Sequence, residues 1–486
     1  MRLMQQDTYT GGSNPVKGFL SYFYGNFIVL ILGFIQTPLI TRILPTDEYG
    51  RTGMFETAVS IIYIFAILGL DQSYMRYYYV KDIDRVALIK KCLAPALIIV
   101  TGLSGLYVFF SDAVNGFLFE RSGSGVVILV VAYTYICVFE RFIFLDVRMD
   151  QNGKLYSNIN IIEKVLSIVT LIGAYFIIGD DFRIGLLALV VPWGCTTLFL
   201  AVRYLIKHRD YRRSPDSYVP TYRELISYGL PLITVLLMEW ALSSADKLAL
   251  RTFSDFNELG IYNSAMKIIV LLLTFKNTFI AYWSPVAMER FEKAEMEENK
   301  DFFGRVYEAV VFLCILLSVF MILFRKVIVL LLGPDYRMAE AVLPFLTLMP
   351  VFAMMFEVTN QSIKYTKKGI YLNIASIAAI IVNVSGNIAL VPRLGGLGAA
   401  ITTGVSYMAY FAIGSYFAEK CIRIGYNYRK TAIYALLLTA FCLEASFVNS
   451  VPADTLSGLM ILCIAVIMDR KVIVRLVSYA KNIFKK

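Results

Sequence analysis

Fourteen stretches of this chain are apolar and long enough to cross a bilayer, and the basic residues between them alternate in density. With residues at span ends assigned to the adjoining gap, the even-numbered gaps and the two tails hold 33 of the 46 Lys and Arg. The odd-numbered gaps hold 10 and three lie within spans. Cytoplasmic loops carry the excess of Lys and Arg, so the alternation expects both termini in the cytoplasm. It also constrains the count, because one helix too many or too few would scramble the asymmetry. The expected spans are 18–42, 52–71, 88–110, 124–145, 155–178, 184–206, 226–250, 259–284, 303–324, 338–359, 369–391, 396–418, 430–449 and 455–476.

A span needs about 20 apolar residues. Fourteen of them leave short loops and no length for a soluble domain. The composition agrees, at 58% hydrophobic with a mean hydropathy of +0.66. The fold class is therefore all-α integral membrane. The net charge of +10 sits beside span ends, where basic residues orient the chain and meet anionic headgroups, so it signals membrane lipids and no nucleic acid. The polar first fifteen residues are followed by an apolar run too long for a signal peptide, which is expected to stay as the first span. The seven cysteines are scattered singly, without metal-ligand spacing, and read as free thiols. No P-loop, HExxH or GxSxG string occurs. No enzyme and no cofactor are expected.

A weak repeat runs through the chain. Ser21-Tyr22-Phe23-Tyr24-Gly25 is echoed in Leu225-Ile226-Ser227-Tyr228-Gly229, and Glu48-Tyr49-Gly50 in Glu258-Leu259-Gly260. The offset is about six spans, an even number, so both copies keep one orientation, as in transporters built from parallel repeats. This expects an N-terminal six-helix lobe over 1–210, a second over 211–425, and two additional helices with a basic cytoplasmic tail over 426–486. The two longest polar gaps, 207–223 and 289–301, read as solvated connectors in preference to surface helices.

A charge inside the bilayer costs at least about 2.5–3.5 kcal/mol, so such residues face a cavity or a partner. The candidates are Glu56, Glu163, Lys164, Glu239, Asp246, Lys247, Lys267, Lys276, Glu357 and Glu444. Glu239, Ser243 and Asp246 share one helix face. Lys267 and Lys276, nine residues apart, point opposite ways on a straight helix. Asn26, Gln36 and Arg42 make span 1 wet, and Pro38 is expected to kink it. One reading is a water-filled central cavity lined by spans 1, 2, 7 and 8; the other is pairing within each bundle, favoured for Glu163–Lys164. Lys247 and Glu444 fit snorkelling, and Asn383 and Asn387 read as helix-packing hydrogen-bonders.

Several strings over about 360 residues carry a resemblance: residues 41–50 (TRILPTDEYG), 68–77 (LGLDQSYMRY), 228–232 (YGLPL), Asp246-Lys247-Leu248, Gly260-Ile261-Tyr262, 333–336 (GPDY) and 395–400 (GGLGAA). In this order the chain resembles the Wzx-type polysaccharide biosynthesis flippases of the MOP exporter superfamily, related to the MurJ and MATE proteins. The resemblance implies a flippase that moves an undecaprenyl-diphosphate-linked oligosaccharide by alternating access, for O-antigen, capsule or exopolysaccharide biosynthesis. It places the protein in the bacterial cytoplasmic membrane, with polysaccharide polymerase or assembly proteins as partners. The matching cavity cations are Arg42, Arg76, Lys267 and Lys276; Asp246, Glu56 and Glu239 are candidates for coupling to H+ or Na+. The chain lacks the dense cavity arginines of MurJ-type proteins, which favours a repeat unit other than lipid II. The alternatives are a MATE-like exporter of organic cations, for which acidic residues would dominate the cavity, and a glycan polymerase or ligase, for which the outer gaps are too short.

Overall fold

A computed structural model describes residues 15–121, 123–212, 217–293 and 295–483, with the side chains of residues 15–24, 26, 476 and 479–483 outside the description. Asn26 and the first repeat string therefore fall, in their side chains, outside the described part. Among the described residues every regular element is helical: α1 (Pro15–Ile43), α2 (Thr46–Ile67), α3 (Leu70–Tyr77), α4 (Arg85–Phe109), α5 (Ser111–Phe119), α6 (Ser124–Met149), α7 (Gly153–Ile178), α8 (Arg183–Lys207), α9 (Tyr222–Phe253), α10 (Phe256–Lys293), α11 (Met296–Leu323), α12 (Arg325–Val329), α13 (Ala339–Thr359), α14 (Gln361–Tyr365), α15 (Ile370–Cys421), α16 (Tyr428–Leu443), α17 (Val451–Met468) and α18 (Arg470–Ile483). Hydrocarbon offers no hydrogen-bond partner, so a spanning backbone must satisfy itself within one helix.

The helix starts are written locally. Asp84 accepts from Ala87 N–H at 2.9 Å, Asn152 from Leu155 N–H at 3.1 Å and Asn427 from Lys430 N–H at 3.2 Å. Thr221 and Glu224 form a reciprocal capping box before α9, with bonds of 2.6 and 3.3 Å.

Among the described residues, eleven helices are long and apolar enough to cross a membrane, or twelve if the bent pair α2–α3 makes one span. The expected fourteen differs from this for two visible reasons. Helix α15, with 52 residues, is counted once although Gly395 (φ 52°, ψ −130°) breaks it into two arms. That backbone conformation is open only to glycine. In α1, Phe27–Ile43 forms a shorter apolar stretch of helix.

By packing the chain falls into two compact units, residues 1–36 with 58–236 and residues 37–57 with 237–486. These boundaries cut through α1, α2 and α9, whereas the sequence segments expected above end in loops.

In the first unit, Tyr74 on α3 and Tyr78 just after it donate to Asp146 (2.7 Å) and Asp150 (2.6 Å) at the end of α6. The 217–220 part of the 207–223 connector is strapped down: Tyr218 forms a parallel bridge to Ile83, and Lys91 Nζ donates to the Pro220 carbonyl at 2.8 Å. In the second unit, α13 is buried along nearly its whole length. The 289–301 gap is mostly helix, because α10 runs on to Lys293 and α11 starts at Met296.

The two C-terminal helices are tied to this unit by Arg325, which is fully buried. Its guanidinium donates to Asp454 Oδ2 (2.8 Å), Asn449 Oδ1 (3.0 Å) and the Ala445 carbonyl (2.9 Å).

Candidate functional site

The most completely satisfied ionisable group in the second unit is Asp246 on α9, only 2% exposed. Two helices bring it four donors. Tyr262 Oη of α10 donates to Oδ2 at 2.6 Å. The other three come from the two arms of α15: Asn383 Nδ2 (2.9 Å) and Asn387 Nδ2 (2.8 Å) reach Oδ1, and Thr403 Oγ1 (2.5 Å) reaches Oδ2. Thr402 Oγ1 locks Asn387 in place at 2.6 Å.

The break at Gly395 is what makes this constellation possible, because it folds one arm of α15 back on the other. The arms meet at glycines: a Cβ on Gly386 would lie 2.6 Å from the Thr402 methyl, and one on Gly398 would lie 2.7 Å from the Leu390 carbonyl oxygen. Glu258 secures the corner by accepting from the Gly396 N–H at 2.7 Å. Four donors on one buried carboxylate replace its water and hold it in place; because they occupy its lone pairs, a proton or cation taken up there must displace some of them. No group of three His, Cys, Asp or Glu suited to a metal occurs among the described residues.

A second charged group lies deeper along α10. Lys267 pairs with Glu56 of α2 at 3.7 Å, and both side chains are partly open, at 45% and 35% exposure. The sequence named these two residues for separate roles, as a cavity cation and an ion-coupling acid; the structure joins them. Lys247, half-buried on α9, lies within electrostatic reach of both.

The remaining candidates are more dispersed. Lys276 is half-buried, while Arg42, Arg76 and Glu239 are exposed, and none of the four has an ion pair among the described residues. The expected stripe Glu239–Ser243–Asp246 does not share one environment. Glu239 and Ser243 are exposed, Ser243 bonding to the Trp240 carbonyl at 3.1 Å, and only Asp246 is buried. Glu357 pairs with Lys364 at 3.0 Å, and Glu444, expected to snorkel, accepts from Ser457 on α17. Asn383 and Asn387 do pack helices, but they do so by clasping Asp246.

Some participants were not anticipated from sequence. Arg141 holds Asp71 by two bonds of 2.6 and 3.0 Å in the first unit, beside Glu140. Tyr262, Thr402 and Thr403 were not singled out as site residues either. Arg141 and Glu140 fall inside the expected fourth span and were visible as intramembrane charges; the hydroxyl residues carry no such signal.

Residues 16–291 match the family model described as polysaccharide biosynthesis protein. An uncharacterized membrane protein of Methanocaldococcus jannaschii is 22% identical over 452 residues, covering 87% of each chain. Among solved structures, the lipid II flippase MurJ in an inward closed conformation is similar with a TM-score of 0.68 at 13% identity, covering 93% of this chain and 99% of that one. An inward-facing multidrug resistance MATE family transporter of the MOP superfamily gives 0.61 at 17% identity, over 82% and 95%. At such identities the likeness concerns the fold.

Proposed function

Because the chain belongs to the polysaccharide biosynthesis protein family, we propose that it is a flippase for an undecaprenyl-diphosphate-linked oligosaccharide, serving O-antigen, capsule or exopolysaccharide assembly. The observation that carries this reading is Lys267. It is a half-exposed ammonium in an apolar helix, held by a single carboxylate 3.7 Å away. A diphosphate cannot enter a low-dielectric passage without replacing its water, and fixed cations provide the replacement. Lys276, Arg42 and Arg76 are the further cations proposed to meet the diphosphate during its passage. The prenyl tail stays in lipid throughout. Transport is by alternating access, without a covalent step, so the protein is a transporter and not an enzyme.

Asp246 is the proposed coupling group, for a proton or a sodium ion. Its burial on an apolar helix supports this, a bound proton or cation displacing some of its four donors; Glu56, paired with Lys267, and Glu239, exposed, fit the role less well. The charge alternation supports both termini in the cytoplasm, in a bacterial cytoplasmic membrane. A polysaccharide polymerase is the partner that would take the delivered oligosaccharide. The second reading, a MATE-like exporter of organic cations, is favoured by the buried carboxylate of Asp246 but not by the half-exposed ammonium of Lys267.

The test is reconstitution into proteoliposomes with a short-chain prenyl-diphosphate saccharide on one face. Translocation is read as new accessibility of the sugar to impermeant periodate on the other face. Failure to move this substrate, together with gradient-driven uptake of an organic cation dye, would replace the proposal with the second reading.

A further inference from the structure

The expected last span, 455–476, does not run on as one helix. Helix α17 stops at Met468 and α18 starts at Arg470. Asp469 between them is 1% exposed and departs from helical geometry, at φ −108° and ψ 17°. Lys430 Nζ donates to its Oδ1 and Tyr434 Oη to its Oδ2. Both donors stand on α16, so a buried carboxylate fixes the point at which α18 leaves the bundle. Helix α17 has 18 residues, about 27 Å at 1.5 Å per residue, close to the roughly 30 Å of a hydrocarbon core. With α17 crossing the membrane, α18 begins at the level of the headgroups.

Helix α18 packs on α17 and α11. Val472 is buried, at 4% exposure, and Ile473 is half-buried. Another side of the helix is open. Arg470, Val474 and Val477 follow one another at spacings of four and three, and so do Lys471, Arg475 and Ser478, which makes two neighbouring rows on that side. Val474 is 69% exposed and Val477 48%. The three cations have no ion pair among the described residues, and the sequence of α18 holds no acidic residue. The acidic residues at the start of α11 are engaged elsewhere: Glu297 with Lys300, Glu298 with Arg290 and Asp301 with Arg305.

The open side of α18 therefore joins bare valines to unpaired cations. Its partner must be apolar and anionic at once. Water offers the valines nothing, and a purely acidic surface would leave them uncovered. A bilayer of anionic lipids supplies both at the depth where α18 starts, phosphates among the headgroups and acyl chains just beneath them.

We propose that α18 is an interfacial helix that docks on an anionic lipid surface, with Arg470, Lys471 and Arg475 on headgroup phosphates and Val474 and Val477 seated between the upper acyl chains. The assignment does not depend on what the protein transports. Each Lys or Arg at such a surface should raise capture about fivefold, and the three together roughly 100-fold.

The experiment uses the full chain freed of its seven cysteines, with Ser478→Cys carrying an environment-sensitive fluorophore on the open side. The bilayers are phosphatidylcholine alone or mixed with phosphatidylglycerol, each doped with a lipid that bears a nitroxide on its headgroup. Phosphatidylglycerol should raise quenching of the label at least about threefold. Salt at about 1 M, where the Debye length is about 3 Å, should reverse the rise. The triple change Arg470→Gln, Lys471→Gln and Arg475→Gln should abolish it, while the melting temperature in phosphatidylcholine stays at the parent's value. Val474→Ser with Val477→Ser should shift the label's emission to the red in the mixed bilayer. Equal quenching in the two bilayers, or a triple variant that still responds to phosphatidylglycerol, would overturn the proposal. A label shielded from aqueous iodide in phosphatidylcholine, and more so as more protein is packed into each vesicle, would assign the open side to a second copy of the chain and overturn it as well.

Discussion

Asn387 Nδ2 and Asp246 Oδ1 are 2.8 Å apart, joining two helices whose contacting residues lie 141 positions apart in sequence. Around this bond a single carboxylate has traded water for four protein donors. A hydrogen bond to a charged group contributes about 1.5–3 kcal/mol, and a donor left unpaired in a dry site costs about 1–3 kcal/mol.

Asp246→Asn keeps the shape but removes the charge. It is expected to reduce gradient-driven transport at least about tenfold, the equivalent of 1.4 kcal/mol, while membrane abundance stays near wild type. Asp246→Leu strands four donors and should lower abundance as well. Transport in proteoliposomes with and without an imposed ion gradient checks this; an Asp246→Asn protein that still answers the gradient fully would make the network a packing device only.

Lys267→Ala and Lys276→Ala, made singly, are each expected to impair glycan export. Loss of one charge-assisted contact of about 1.5–3 kcal/mol weakens headgroup binding by roughly 10- to 100-fold. The effect of Lys267→Ala should be larger if Glu56 is left in place, since an unpaired carboxylate then faces the diphosphate. Surface glycan measured at equal protein abundance decides it, and wild-type export from both variants would remove these lysines from the site.

Much of the fold was legible because hydropathy and charge asymmetry act over whole spans. Asp246 was legible because a carboxylate in an apolar helix is costly. Its hydroxyl partners were not, since Thr and Tyr are ordinary in spans and their convergence depends on the reversal at Gly395. The break itself was marked by the Gly395-Gly396 pair in a gap, although the helix continues on both sides of it. The repeat strings around Gly50 and Gly260 were legible, but not that the two glycines touch, a Cβ on Gly50 falling 3.1 Å from Gly260 N. Arg325 lies just outside the expected span 303–324 and carried no signal of its own; its burial is created by the added C-terminal helices, whose packing no periodicity in α11 or α12 encodes.

Arg325 is expected to be structural. Breaking a buried pair by removing one partner costs about 3–5 kcal/mol, so Arg325→Ala should lower the melting temperature and abundance sharply. A double change, Arg325→Met with Asp454→Leu, should recover most of the loss. Thermal unfolding in detergent measures both; an unaffected single variant would contradict the anchoring role given to this residue.

At the end of α6, burial alone would push the Asp150 carboxyl up, but hydrogen bonds from Lys207 and Tyr78 and the charges of Lys207 and Arg85 outweigh it and hold it below the usual range. A depressed carboxyl stabilises the fold above its unfolded value, about 3.9, and that contribution fades as pH falls through the lower folded value. Acidification from about pH 5 to about pH 3 should therefore destabilise the wild type more than Asp150→Asn. Melting curves over that window test the difference, and parallel curves for the two proteins would show that Asp150 contributes nothing.

The most direct test of the transport account is removal of the gene in its host followed by leaflet-resolved analysis of prenyl-diphosphate-linked sugars. The account predicts a completed oligosaccharide accumulating on the cytoplasmic leaflet, with surface glycan lost. Intact surface glycan together with raised sensitivity to cationic dyes would contradict it and move the protein to cation export.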